Sequence, residues 1–226
     1  MRHLRARRIG VVSIVLAGGT TIALAQTRER GATSTTILNN DTITVDRLHM
    51  APGSAETIGA TAPPFLVVQI TPGDVEVNQF EENSRGPRPA AAVTYVPAGV
   101  GRHEVNIGAT TFDLLLIRIK PTRAAAPAAP PTAAPPGITR TTLIDNDDVR
   151  VVRVRFAPDG REPIHTHPND LLTMQISGGK VDILNGVNRS TAEREPGFVQ
   201  FLPRGFPHAF ASVDTKAFEI LSVAIK

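Results

Sequence analysis

His165-Thr166-His167 and, later in the chain, Gly197-x5-Pro203-x-Gly205-x2-His208 hold three imidazoles at a spacing that suits one metal ion. His165 and His167 stand two apart, so in an extended segment both side chains project from one face. His208 follows Pro203-Arg204-Gly205, a turn signal that brings a third imidazole back across the sheet. Neutral imidazole is the commonest protein ligand for late divalent metals, at about 2.0–2.1 Å for zinc. Three such nitrogens leave the charge of a divalent ion intact and several positions open. A site of that kind polarises a bound water or a bidentate oxygen substrate. Iron, manganese and zinc all satisfy this ligand set.

Strand parity selects what joins the histidines. Leu171, Thr173 and Gln175 share the odd parity of His165 and His167, and His208, Phe210 and Ser212 share a face on the second segment. The expected pocket therefore presents Thr173, Gln175 and Ser212, walled by Leu171, Phe201 and Phe210. Asp170 has the opposite parity and should point away. Arg161, Glu162 and Arg204 read as solvated residues near the mouth, with Arg204 a candidate for meeting an anionic substrate, since arginine suits bidentate carboxylate recognition. There is no glycine-rich phosphate loop and no Gly-x-Ser-x-Gly elbow. Nor does any pair of carboxylates point to glycoside hydrolysis.

These segments resemble the two motifs of the cupin family. Gly160, His165, His167 and Gly178 fit the first, whose glutamate position is held by Leu171. Gly197, Pro203, Gly205 and His208 match the second residue by residue, with Ser212 in place of its final asparagine. The resemblance covers residues 138–226. It implies a β-barrel of the double-stranded β-helix type and a divalent metal held by His165, His167 and His208. Some cupins with three histidines are iron dioxygenases, so a small-molecule dioxygenase or isomerase is the implied activity. The missing glutamate leaves a second reading open, a non-catalytic small-ligand-binding or structural cupin that has lost its metal.

The elements that must position these residues come in two copies. Residues 121–137 are a Pro/Ala-rich segment without apolar periodicity, the composition of a semi-rigid extended spacer. The flanking halves, 33–120 and 138–226, align at a constant offset of 106. Gln69-Ile70 matches Gln175-Ile176, Pro97 and Gly99 match Pro203 and Gly205, and Ile119-Lys120 matches Ile225-Lys226. The chain therefore reads as a tandem duplication, a bicupin. In the first half the ligand positions are Gly59, Thr61 and Arg102, with His103 one residue out of phase. That half is expected to be a degenerate barrel that packs against its partner. His49 reads as an ordinary isolated histidine.

Short runs of Val, Ile, Leu, Phe and Thr between Gly, Pro, Asn and Asp clusters make the fold class all-β. The strongest expected strands of the second half are 149–156, 171–177, 181–184, 198–202 and 218–225. If the interface between the barrels is modest, each should stay compact when the linker is cut.

The first residues, Met1-Arg2-His3-Leu4-Arg5-Ala6-Arg7-Arg8, are basic and precede an apolar run that ends in Ala23-Leu24-Ala25. This is the pattern of a cleaved signal peptide over 1–25 and implies a periplasmic or secreted protein with no stable membrane span after cleavage. That segment holds four arginines and no acid, so removal takes 24 basic residues to 20 against 21 acidic and the charge from +3 to −1. The basic balance thus belongs to the leader and is no sign of nucleic-acid binding. Absence of cysteine excludes disulfides and thiolate ligands. The expected partner is a small molecule, with homo-oligomerisation open.

Overall fold

The computed structural model describes residues 30–80, 82–121, 134–213 and 215–226. The expected leader and residues 122–133 of the expected linker lie outside these. Among the described residues there are strands and no helix, hence none long and apolar enough to cross a membrane.

The first half contributes β1 (Arg30–Gly31), β2 (Thr33–Asn39), β3 (Ile43–Met50), β4 (Ser54–Ile58) and β5 (Phe65–Gln69). It continues through β6 (Gly73–Gln79), β7 (Glu82–Arg88), β8 (Val93–Val96), β9 (Arg102–Asn106) and β10 (Phe112–Ile119). The second half has β11 (Ile138–Asp145), β12 (Val149–Phe156), β13 (Asp170–Gln175) and β14 (Gly179–Asn185). It ends with β15 (Asn188–Arg194), β16 (Val199–Leu202), β17 (His208–Ser212) and β18 (Phe218–Ile225). Four sheets result, in the orders β1-β4-β9-β6-β7, β2-β3-β10-β5-β8, β11-β12-β18-β13-β16 and β15-β14-β17. In each half two sheets lie face to face around an apolar core, and hydrogen bonds do not close them into one continuous cylinder.

The duplication holds down to single hydrogen bonds. Both first hairpins carry a register shift at equivalent places, Thr36/Leu38 and Thr142/Ile144. Asn40 Oδ1 accepts from the backbone of Thr42 and Ile43, and Asn146 Oδ1 accepts from Asp148 and Val149. These Asx turns set the entry to β3 and β12 in the same way. Gln69 donates to the carbonyl of Thr71 at 2.8 Å and Gln175 to that of Ser177 at 2.7 Å.

In two of the sheets the central strands β5, β10 and β13 are buried on both faces, which is why they read as nearly unbroken apolar runs. Leu171 and Phe218 point into the second core, whereas Leu172, Met174, Leu221, Val223 and Ile225 point out of its back. They meet Ile43, Val45, Leu66, Val68, Leu115 and Ile117 of the first half in one shared cluster. Thr42 donates to Asp170 at 3.0 Å, Tyr95 to Asp148, and Arg153 to the carbonyl of Ala91 at 3.1 Å across the same boundary. The interface is therefore not modest: removing one half strips water-excluding cover from an entire sheet face of the other.

That arrangement relocates Phe201. Leu202 turns into the second core, so its neighbour Phe201 faces the opposite way and packs on the cluster between the halves. Its repeat counterpart Tyr95 does the same. Phe201 is an interface residue rather than a pocket wall.

Candidate metal centre

His165, His167 and His208 converge: one ring nitrogen from each lies within 4.8 Å of the other two. His208 opens β17 and is buried, while His165 and His167 are partly exposed. The first two histidines do not sit on a regular strand as their spacing suggested. Residues 160–169 touch the sheet only through two isolated bridges, Arg161 to Ala211 and His165 to His208. Pro163 and Pro168 flank the pair and lack the N–H that a continuous ladder needs.

Two glycines hold this irregular segment in place. A Cβ on Gly160 would meet the carbonyl oxygens of Gly137 and Ala157 at 2.6 and 2.9 Å, so only glycine allows the approach. Gly205, at φ +74°, donates its N–H to the carbonyl of His167 at 2.8 Å, which ties the second motif's turn to the first motif's last histidine.

Hydrogen bonding orients the rings. His165 Nδ1–H donates to the Pro163 carbonyl at 2.9 Å and His208 Nδ1–H to that of Phe206 at 3.1 Å. A carbonyl only accepts, so in the neutral rings the proton stands on Nδ1 and the lone pair on Nε2. Such a bond fixes the tautomer that coordinates a metal. His165 Nε2 and His167 Nε2 are 3.1 Å apart. Two nitrogens on one ion at about 2.0–2.1 Å would be separated by roughly 3.0–3.4 Å, so the spacing fits a shared ion. Burial above all, then the neighbouring His165, His208 and Arg140, pushes His167 down to about 4. Burial also lowers His208. Both rings are thus held in the neutral, ligand-competent form.

The surroundings are mixed. Leu171, Phe210, Thr173, Gln175 and Ser212 are all buried within the second half. Leu171 and Phe210 belong to its apolar core, and Thr173 Oγ1 reaches the carbonyl of Gln200 at 3.4 Å. Ser212 Oγ is buried without a hydrogen-bond partner. Gln175 repeats the contact made by Gln69 in the half that lacks the three-histidine set, which marks it as a turn-bracing residue. Asp170 points away from the histidines as its parity requires: it accepts from the Arg204 backbone at 2.8 Å and from Thr42. Arg204 Nε lies 3.8 Å from the same carboxylate and its side chain is largely exposed.

The sequence missed Asn169 and Arg194, and it misplaced Glu162, which was expected among the solvated residues near the mouth. Glu162 is buried, accepts from Arg140 Nη2 at 2.8 Å and acts electrostatically on His208. Only its distant partner on β11 distinguishes it from a solvated loop acid. Asn169, two residues after His167, is buried with Oδ1 unpaired. Arg194 is buried and pairs with no carboxylate among the described residues.

In the first half the position equivalent to His208 is Arg102, which joins a charged network. Arg102 donates through Nε and Nη2 to Glu104 at 3.1 and 2.6 Å and through Nη1 to Gln79 at 3.0 Å. Arg88 donates to the other Glu104 oxygen at 3.1 Å. His103 bonds Thr57 Oγ1 at 2.8 Å, and His49 lies at the surface against Asp113.

The backbone decides the lineage of the fold. A cupin 2 conserved barrel domain protein from Leptotrichia buccalis superimposes with a TM-score of 0.62 at 16% identity, covering 90% of this chain and 93% of that one. The oxalate decarboxylase of Lactobacillus farciminis gives 0.68 at 12%, covering 88% and 82%. The chain has the cupin fold, twice over. The salicylate 1,2-dioxygenase of Pseudaminobacter salicylatoxidans, at TM-score 0.62 and 10% identity, covers 86% of this chain and 76% of its own. No protein-family model matches the sequence, and no curated protein does. The three clustered histidines lie in the second half, and a metal placed there would be held by His165, His167 and His208.

Proposed function

We propose that this is an exported two-barrel cupin whose second half binds one divalent metal, iron, manganese or zinc, through His165, His167 and His208, and turns over a small molecule as a dioxygenase or isomerase. The observation that carries this reading is the pair of Nδ1–carbonyl bonds that aims the Nε2 atoms of His165 and His208 into one space with His167. A bound metal supplies Lewis acidity at its open positions. The chain's own residues hold the imidazoles neutral, exclude water with Leu171 and Phe210, and place Glu162 and Arg140 beside the ligand set. Solved cupins with similar backbones include a dioxygenase and a decarboxylase, which supports an enzymatic use of the second barrel. Export, to the periplasm or beyond, rests on the leader-like residues 1–25.

Metal analysis of the purified protein, before and after dialysis against a chelator, tests the reading. One equivalent of metal, retained on gel filtration and lost in His165→Ala, is the expected result. A second reading, a small-ligand-binding or structural cupin without metal, is favoured by one observation: Leu171 fills the motif's carboxylate position with an apolar side chain. Protein that takes up none of the three metals would establish that second reading.

A further inference from the structure

The second half keeps a buried cation that no carboxylate among the described residues pairs with. Arg194, the last residue of β15, is 7% exposed. Its Nη2 donates to Gln200 Oε1 at 2.6 Å, and its Nε is buried without a partner. The guanidinium lies 4.4 Å from the ring centre of Phe198 and 5.6 Å from that of Phe210. Burial lowers its pKa to about 10, with no carboxylate acting in the opposite sense. It therefore remains charged at neutrality, in a place where an uncompensated charge is costly.

The repeat shows what such a position normally holds. At the offset of 106, Arg194 corresponds to Arg88 and Phe210 to Glu104. In the first half Arg88 donates to Glu104, a buried carboxylate that Arg102 also grips. The second half retains the arginine and replaces the acid with a phenyl ring. In the same stretch it replaces Arg102 with His208. The internal anion has been lost in the half that carries the three histidines.

A polar line connects the two features. Gln200 Nε2 donates to Asn185 Oδ1 at 3.0 Å, and Asn185 is the register partner of His208. Phe210, under the guanidinium, also meets His208 edge-on at 5.7 Å between ring centres.

We propose that the second barrel takes a small carboxylate-bearing molecule, with Arg194 pairing its carboxylate in the role that Glu104 fills for Arg88 and the rest of the molecule running along Phe210 toward the histidines. The substrate class of the proposed enzyme is thereby a carboxylic acid, and that assignment rests on the histidine site being the reacting end. Arg204, which the sequence offered for an anion, is a largely exposed turn residue already facing Asp170.

The test is a calorimetric titration of benzoate and acetate, each beside its neutral amide, into the full protein with zinc loaded and after chelation. At least one carboxylate should bind, with its amide at least tenfold weaker. Arg194→Met should lose that carboxylate by tenfold or more while zinc uptake is unchanged. Arg194→Lys, which keeps the charge, should retain part of the affinity and serves if the methionine variant does not fold. His165→Ala should lose zinc and, after chelation, still bind the carboxylate, so failure of the metal reading shows in the zinc arm alone. Neither carboxylate binding, equal binding of acid and amide, or full carboxylate affinity in Arg194→Met and Arg194→Lys alike would overturn the proposal.

Discussion

His165 and His208 exchange both backbone hydrogen bonds, each N–H donating to the other's carbonyl at 3.0 Å. The two residues form one directly opposed antiparallel pair, so their rings fall on the same side of the bridge, with centres 4.4 Å apart. The cluster of three histidines is built on this bridge, since it joins the proline-flanked first motif to β17.

Removing any of the three imidazoles should abolish stoichiometric metal uptake. His165→Ala, His167→Ala and His208→Ala are each expected to weaken binding of iron(II), manganese and zinc by at least tenfold, consistent with the loss of one ligand in three. His49→Ala and His103→Ala should bind as the wild type does, because those rings contact Asp113 and Thr57 elsewhere. Calorimetry on all five variants decides it.

Leu171→Glu restores a carboxylate at a buried, inward-facing position. Without metal the variant should melt below the wild type, since an isolated buried acid replaces core packing. With saturating manganese or iron(II) its thermal midpoint should rise more than that of the wild type. An unchanged response to metal would show that position 171 does not reach the ligand sphere.

The shared core predicts that the halves do not live apart. A fragment of residues 138–226 would expose Val151, Leu172, Leu221 and Val223, all fully buried in the whole chain. It should aggregate or lack a cooperative transition, whereas a soluble monomeric fragment with a sharp melt would contradict a shared core. In the full chain, Leu221→Ala should cost about 2–5 kcal/mol and lower a single transition common to both halves.

Asp113 gives a pH dependence remote from the site. Burial pushes its pKa up, but hydrogen bonds and charge from Arg47 and His49 outweigh this and hold it below the ordinary carboxylate range. Its stabilising contribution is therefore fully present above the unfolded carboxylate pKa of about 3.9, and it is lost as pH falls through the lower folded value. Asp113→Asn should be less stable than the wild type by about 1 kcal/mol or less at pH 7, because Arg47 and His49 are well exposed. The difference should shrink and vanish as pH falls through that lowered folded value, as acid-denaturation curves of both proteins would show.

Sequence alone determined whatever rests on local periodicity. Alternation placed Leu171, Thr173 and Gln175 on one face and sent Asp170 to the other, because the pleat fixes side-chain direction within a strand. The constant offset between the halves exposed the duplication, and the glycine, proline and histidine spacings marked the fold and the three histidines that cluster. Tertiary structure decided what depends on residues far apart in the chain. The same alternation that put Leu202 inside left Phe201 outside, but only the second half's back-to-back packing on the first showed that this outer face is also buried. Glu162 looks like a loop acid until Arg140, on another strand, covers it. Arg194 looks like a surface cation until the position of Glu104 in the other half is seen to hold Phe210. Burial, charge compensation and partner choice are set by which strands become neighbours, and no local pattern encodes that pairing.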